Sequence, residues 1–248
     1  MGESDLRNVE SVVQARRLCV EDIEDRIIGV DEVSHLLRLF EAFWQYPGEP
    51  IAGIPHARTK AGRCTNGFIN CLEILKESNL CAIIGDQLAS ILWEQYPHSP
   101  DWCVGAAYAG IDLNHEIARQ LGARHAFTEK DEAGKPSVWK RHVIPEGETV
   151  LITNELMTTP GGSTYETKLG VQDGNPVQPV SFVPFALLFV NRSSDEECLQ
   201  DGTPVICLAR YRMSIYDPGP DTCPYCRAGS QSLKPKVEGN WQKYFGGR

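Results

Sequence analysis

Apolar residues recur along this chain with two periods, and together they predict a succession of helices and strands. Val33, Leu36, Leu37, Leu39, Phe40 and Phe43 repeat at helical spacing behind Asp31, a fair N-cap, and Tyr46-Pro47-Gly48 stops that helix. With Val9, Val12, Val13 and Ala15 before it, the segment 4–45 reads as two helices. Residues 50–75 are short and turn-rich, and an amphipathic helix follows over roughly 76–95. Trp102–Ala106 reads as a strand, Ala107–Gly110 as a small-residue loop, Ile111–Leu121 as a helix and Arg124–Thr128 as a strand. A charged segment, Glu129–Lys140, leads into Arg141–Ile144. Val150–Thr153, Pro179–Asn191 and Val205–Tyr211 are further strands, and a helix opens at Ser163. This alternation predicts an α/β fold with a mostly parallel sheet flanked by helices. The Pro/Gly/Cys-rich tail from Asp217 reads as irregular.

In such sheets ligands bind at the carboxyl ends of strands, near a switch in strand order. Two loops here qualify. One is Ala107-Tyr108-Ala109-Gly110. The other is Thr158-Thr159-Pro160-Gly161-Gly162-Ser163, which follows the strand Val150–Thr153 and the polar pair Asn154-Glu155. A strand that ends in small residues and opens a helix makes a phosphate cradle. Backbone N–H groups converge on one anion, and the helix N-terminus adds partial positive charge. Neither loop is a Gly-Lys-Ser/Thr P-loop or a GxGxxG turn.

The bulk numbers change little. A chain of 248 residues with 42% hydrophobic and 23% charged residues is ordinary for a globular protein. A formal charge of −9 argues against a nucleic-acid partner. No apolar run approaches the ~20 residues of a membrane span, and MGESDLRNVE lacks the apolar centre of a signal peptide, so the expectation is a cytoplasmic protein without a membrane partner. Five of the nine cysteines (Cys19, Cys71, Cys81, Cys103, Cys207) sit in apolar or mixed contexts and read as buried thiols.

The motifs resemble those of type I phosphoribosyltransferases, and most closely the orotate phosphoribosyltransferases. The Val150–Thr164 segment is similar to that family's phosphoribosyl-diphosphate (PRPP) motif. Gly105–Ile111 resembles its diphosphate loop, and residues 56–70 resemble its small hood. Phe127–Arg141 resembles its mobile catalytic loop, and Tyr216–Lys236 the Cys-Pro-x-Cys tail of one branch. The resemblance implies a Rossmann-like sheet with an N-terminal hood. It divides the chain into a helical extension (1–48), a transferase domain (49–236: hood about 49–75, core about 76–215, tail 216–236) and a terminal stretch (237–248).

The implied activity is transfer of the phosphoribosyl group of PRPP to orotate, giving orotidine 5′-phosphate and diphosphate. The implied cofactor is Mg²⁺ carried by PRPP, with no protein metal ligand, and the implied assembly is a homodimer whose mobile loop reaches the neighbouring site. Lys130, Lys140 and Arg141 would stabilise the leaving diphosphate. Glu155 would accept from a ribose hydroxyl. Asn154, Thr158, Thr159, Gly161, Gly162, Ser163 and the backbone of Ala107, Tyr108, Ala109 and Gly110 would hold PRPP. Lys60, Arg63 and Phe68 would face the base. Three positions depart from the family pattern: Asn154 and Glu155 replace an acidic pair, and Pro160 lengthens the phosphate turn without offering an N–H. Two alternatives follow from these departures: a divergent transferase for another nucleobase, or a non-catalytic PRPP- or nucleotide-binding protein.

Cys223-Pro224-Tyr225-Cys226 is half of a zinc site, and Cys198 or Cys207 with a histidine would have to complete it. The six histidines show no metal spacing of their own.

Overall fold

In the computed structural model, the structure describes residues 5–23, 26–59, 61–130, 137–193 and 196–245. The helices are α1 (Val12–Ala15), α2 (Val30–Leu39), α3 (Leu72–Leu75), α4 (Ser78–Gln95), α5 (Ile111–Leu121), α6 (Ser163–Gly174), α7 (Pro224–Arg227) and α8 (Trp241–Tyr244). The strands are β1 (Phe43–Gln45), β2 (His56–Arg58), β3 (Cys64–Thr65), β4 (Gly67–Ile69), β5 (Trp102–Ala106), β6 (Arg124–Thr128), β7 (Thr149–Met157), β8 (Ser181–Asn191), β9 (Val205–Arg210), β10 (Ile215–Tyr216) and β11 (Ser232–Leu233).

The core is a five-stranded sheet in the order β6-β5-β7-β8-β9, with every pairing parallel. Strands buried on both faces need continuous apolar runs, and Val183–Val190 supplies one. α4 and α5 cover one face, where Leu88, Leu92, Ile117 and Leu187 share a core with Leu36 and Leu37 of α2. α6 covers the other face, against Val104, Val150, Ile152 and Leu188. Asn114 of α5 rivets three strands. Its amide donates to the Cys103 and Ala126 carbonyls at 3.2 and 2.8 Å, and it accepts from the Thr153 hydroxyl at 2.6 Å. Gly105 makes room, since a Cβ there would lie 3.1 Å from Asn114 Cβ.

From β5 the chain moves outward through α5 to β6, then returns to the other side of β5 as β7. The strand order therefore reverses between β5 and β7, and the carboxyl ends of these strands are where such sheets place their ligand crevice. On the far side of α6, Gly170 and Gly174 lie one turn apart and seat Ser137 and Trp139. A Cβ on either glycine would come within 2.8 Å of those residues.

Four sequence expectations are corrected here. The second N-terminal helix stops at Leu39, and Phe43–Gln45 is a strand paired with β4, in register Trp44↔Phe68. The N-terminal segment is built into the main core. Leu6 N–H donates to Glu32 Oε1 at 3.0 Å, and Asn79 of α4 donates to the Ala15 and Leu18 carbonyls. The tail is not irregular: β10 pairs antiparallel with β3 and β11 pairs parallel with β2, completing a four-stranded hood sheet in the order β10-β3-β2-β11. Of the thiols read as buried, Cys19 is exposed. Among the described residues no helix is long and apolar enough to cross a membrane.

Candidate active site

The first small-residue bend meets the strand that carries the second. The loop after β5 and the turn after β7 leave neighbouring strand tips, since Gly105 and Thr153 are register partners. A Cβ on Gly110 would lie 3.0 Å from Glu155 Oε2 and 3.1 Å from Asn154 Oδ1. The first loop is thus closed against the polar pair of the second strand, and a side chain at 110 would fill the junction. The Ala107–Tyr108 peptide is cis, and Tyr108 is 76% exposed.

Asn154 is fully buried and faces inward. Its amide nitrogen donates to Ser163 Oγ and Thr164 Oγ1, both at 3.0 Å, and its Oδ1 accepts from Glu155 N–H at 3.0 Å. An aspartate could not donate these two bonds. Because both hydroxyls accept from Asn154, their own protons remain available, and Ser163 is exposed at the mouth of the turn. The amide thus ties β7 to the first turn of α6. Thr159 is exposed, and Thr158, Gly161 and Gly162 are partly buried. Gln200 packs its Oε1 against Gly161, and its N–H donates to the Pro160 carbonyl at 3.1 Å. Pro160 therefore takes part in the turn as an acceptor.

Glu155 is partly buried, and burial raises its carboxyl from the ordinary 4.5 to about 7, against a lowering influence from Lys236. The hood closes over this end of the sheet. Cys71 S–H donates to the Glu155 carbonyl at 3.5 Å. Arg192, the residue after β8, is 2% exposed; its Nη1 donates to the Gly67 carbonyl at 3.3 Å and its guanidinium lies 5.8 Å from the Phe68 ring. Arg192 Nε has no hydrogen-bond partner among the described residues. Burial lowers its pKa to about 10, which leaves it cationic at neutral pH. Phe68 is also edge-on to Trp241 of the tail, with centroids 5.4 Å apart.

The basic candidates are placed differently. Lys130 and Lys140 are exposed close to the antiparallel Glu129–Val138 bridge. Residues 131–136 between them lie outside the described residues, as does Lys60. Arg141 is ion-paired with Glu129, and Arg63 with Asp217 at 3.1 Å.

Three residues near the crevice escape a reading of the sequence. Arg192 left a signal, a charge placed directly after a long apolar strand. Lys236 and Gln200 left none, because both are brought in by loops.

Comparison with known proteins agrees with this architecture. No family model matches the chain. The orotate phosphoribosyltransferase of Heliobacterium modesticaldum is 30% identical over 181 residues, covering 73% of this chain and 88% of that protein. That of Desulforamulus reducens is 31% identical over 181 residues, covering 73% and 87%. Among solved structures, orotate phosphoribosyltransferase from Aeropyrum pernix aligns with a TM-score of 0.50 at 15% identity, over 72% of this chain and 93% of that one. Leishmania donovani UMP synthase aligns at 0.51 and 12% identity, over 72% of this chain and 36% of that one. The parallel sheet, the switch-point crevice and the hood are those of a type I phosphoribosyltransferase. At about 30% identity over most of its length, the chain belongs to the orotate phosphoribosyltransferase family.

Proposed function

We propose that this protein transfers the phosphoribosyl group of PRPP to the ring nitrogen of orotate, releasing diphosphate. The observation that carries the reading is the junction at Gly110, where the loop after β5 closes on Asn154 and Glu155 of β7, and Asn154 in turn holds Ser163 and Thr164 at the end of the second small-residue turn. One bend suits the diphosphate and the other the 5′-phosphate of a single sugar. The C1–oxygen bond to diphosphate breaks with its electron pair leaving on diphosphate. The C1–nitrogen bond forms, and the ring nitrogen gives up its proton to solvent. Positive charge develops on the sugar and negative charge on the leaving group, so fixed dipoles and charges at both ends lower the barrier.

The residues have separable roles. Thr158, Thr159, Gly161, Gly162 and Ser163 hold the 5′-phosphate through N–H and O–H donors, on a turn that Asn154 ties to α6. The backbone of 107–110 holds diphosphate. Glu155 accepts from ribose hydroxyls. Phe68 stacks on the base, and Arg192 with its free Nε is the counter-charge for a base carrying a carboxylate. Lys130 and Lys140 supply cations from the loop, and Arg141 braces that loop through Glu129. Lys60 and Arg63 add positive charge for the base. The residues suit a Mg²⁺ ion carried by PRPP: that ion prefers oxygen ligands and takes few of them from protein, and the Glu155 carboxylate lies at this end of the sheet next to Gly110. When bound, the ion would offset charge on the diphosphate. A homodimer in the cytoplasm belongs to the same reading.

Incubation with PRPP, Mg²⁺ and orotate, followed by loss of orotate absorbance, tests it. Turnover of orotate but not of uracil or adenine is the expected outcome. Turnover of another base alone, or PRPP binding by calorimetry without any turnover, would overturn it.

A further inference from the structure

The CxxC motif is not used by this chemistry, and the partners expected for it do not arrive. Cys198 sits in a bridge with Pro204, and Cys207 lies within β9. Instead, Cys223 and Cys226 face the β2–β3 hairpin of the hood, where they meet His56 and Cys64. The four ligand atoms all lie within 4.8 Å of one another. Cys64 Sγ is 3.7 Å from Cys226 Sγ, and His56 Nε2 is 3.6 Å from Cys226 Sγ and 3.9 Å from Cys223 Sγ. A tetrahedral zinc ion with Zn–S of about 2.3 Å and Zn–N of about 2.0 Å sets its ligands about 3.6–3.8 Å apart. Three of the six edges, at 3.6, 3.7 and 3.9 Å, lie close to that geometry, and the other three stay within 4.8 Å.

The surroundings point the same way. Ser230 Oγ donates to the Ile54 carbonyl at 2.6 Å, so it must accept from His56 Nδ1, 2.9 Å away. That hydrogen bond fixes the tautomer and leaves Nε2 bare and aimed at the three sulfurs, as metal-ligating histidines require. The Cys226 N–H donates to Cys223 Sγ at 3.5 Å, a bond that favours a thiolate. The His56 ring stacks on Tyr225 at 5.4 Å, which holds its plane. His56, Cys64 and Cys223 are buried.

We propose that His56, Cys64, Cys223 and Cys226 bind one Zn²⁺ as a structural Cys₃His site. All four positions are filled by protein, so the ion staples the tail to the hood and does not act on substrate. Binding replaces three thiol protons, which pass to solvent, with three Zn–S bonds. By fixing residues 223–226 against β2 and β3, the ion also orders the stretch that brings Trp241 onto Phe68 and Lys236 toward Glu155. The proposal stands independently of the transferase reading.

The test is elemental analysis of tag-free, full-length protein purified under reducing conditions without chelator. About one zinc per chain is expected, released to a chromogenic chelator when a mercurial blocks the thiols. Replacing zinc with Co²⁺ should give the strong visible bands of tetrahedral cobalt with thiolate-to-metal charge transfer. Cys198→Ser should keep the metal, whereas Cys226→Ser should lose most of it. If that variant does not fold, the cobalt spectrum of the wild type decides. Reduced protein that binds neither Zn²⁺ nor Co²⁺ would overturn the proposal. So would iron in place of zinc, or a Cys64–Cys226 disulfide found in protein kept reduced.

Discussion

Glu155 and Arg192 carry opposite charges at the same end of the sheet, and burial acts on both. Since burial lifts Glu155 to about 7, its carboxylate form dominates only above neutral pH in the free protein. We expect kcat/KM to fall as pH drops through about 7. Glu155→Gln should lower turnover at least ~10-fold, the scale of one lost transition-state contact, and flatten that acid limb. An unchanged rate and pH profile would remove Glu155 from the site. Stability runs the other way. The folded-state value lies above the ordinary 4.5, so the native protein holds this proton more tightly than the unfolded chain. That contribution is complete below about 4.5 and lost as pH rises through about 7. Thermal melts should therefore show Glu155→Gln more stable than wild type at pH 8 and similar to it at pH 4. For Arg192→Met, the KM for orotate should rise at least ~10-fold with a smaller change for PRPP, the pattern of a lost charge-assisted contact to the base. Equal losses for both substrates would indicate general disruption of the hood.

Among the elements, α6 links the turn at 158–163 to the segment that follows β6. Its first turn is tied to Asn154, and its far side seats Ser137 and Trp139 against Gly170 and Gly174. Lys140 and Arg141 follow directly from that seat. A valine at 170 would drive its side chain into the Ser137 carbonyl, which stands 2.7 Å from the position a Cβ would take. Gly170→Val should cost about 1–3 kcal/mol, the range of core overpacking, read from denaturant midpoints. It should also reduce kcat more than the KM for PRPP, because the phosphate turn at the other end of the helix is untouched.

At the scale of the molecule, the hood is made from two distant parts of the chain, 43–69 and 215–245, laid over the tips of β7 and β8. If the loop at 130–140 completes a neighbour's crevice, Lys130→Ala and Glu155→Ala proteins are each inactive alone. Mixed and allowed to exchange subunits, they should recover roughly a quarter of wild-type activity, since half the dimers would be hybrids with one intact site. No recovery in protein shown to be dimeric would place the loop over its own crevice.

The sequence alone determined the parallel sheet, its helices and the two small-residue turns at strand ends. Those features are local: continuous apolar runs make buried strands, and glycine and hydroxyl residues at strand ends make anion cradles wherever they fall. It also held Glu155 and Phe68 at legible positions. Tertiary structure decided what depends on residues far apart in the chain. It turned Asn154 inward as a tie between β7 and α6, brought Arg192 under Phe68, folded the tail into the hood and set Cys223 and Cys226 against His56 and Cys64, more than 150 positions away. Spacing along a chain fixes which face of an element a residue occupies, but packing of separate elements decides which residue it meets.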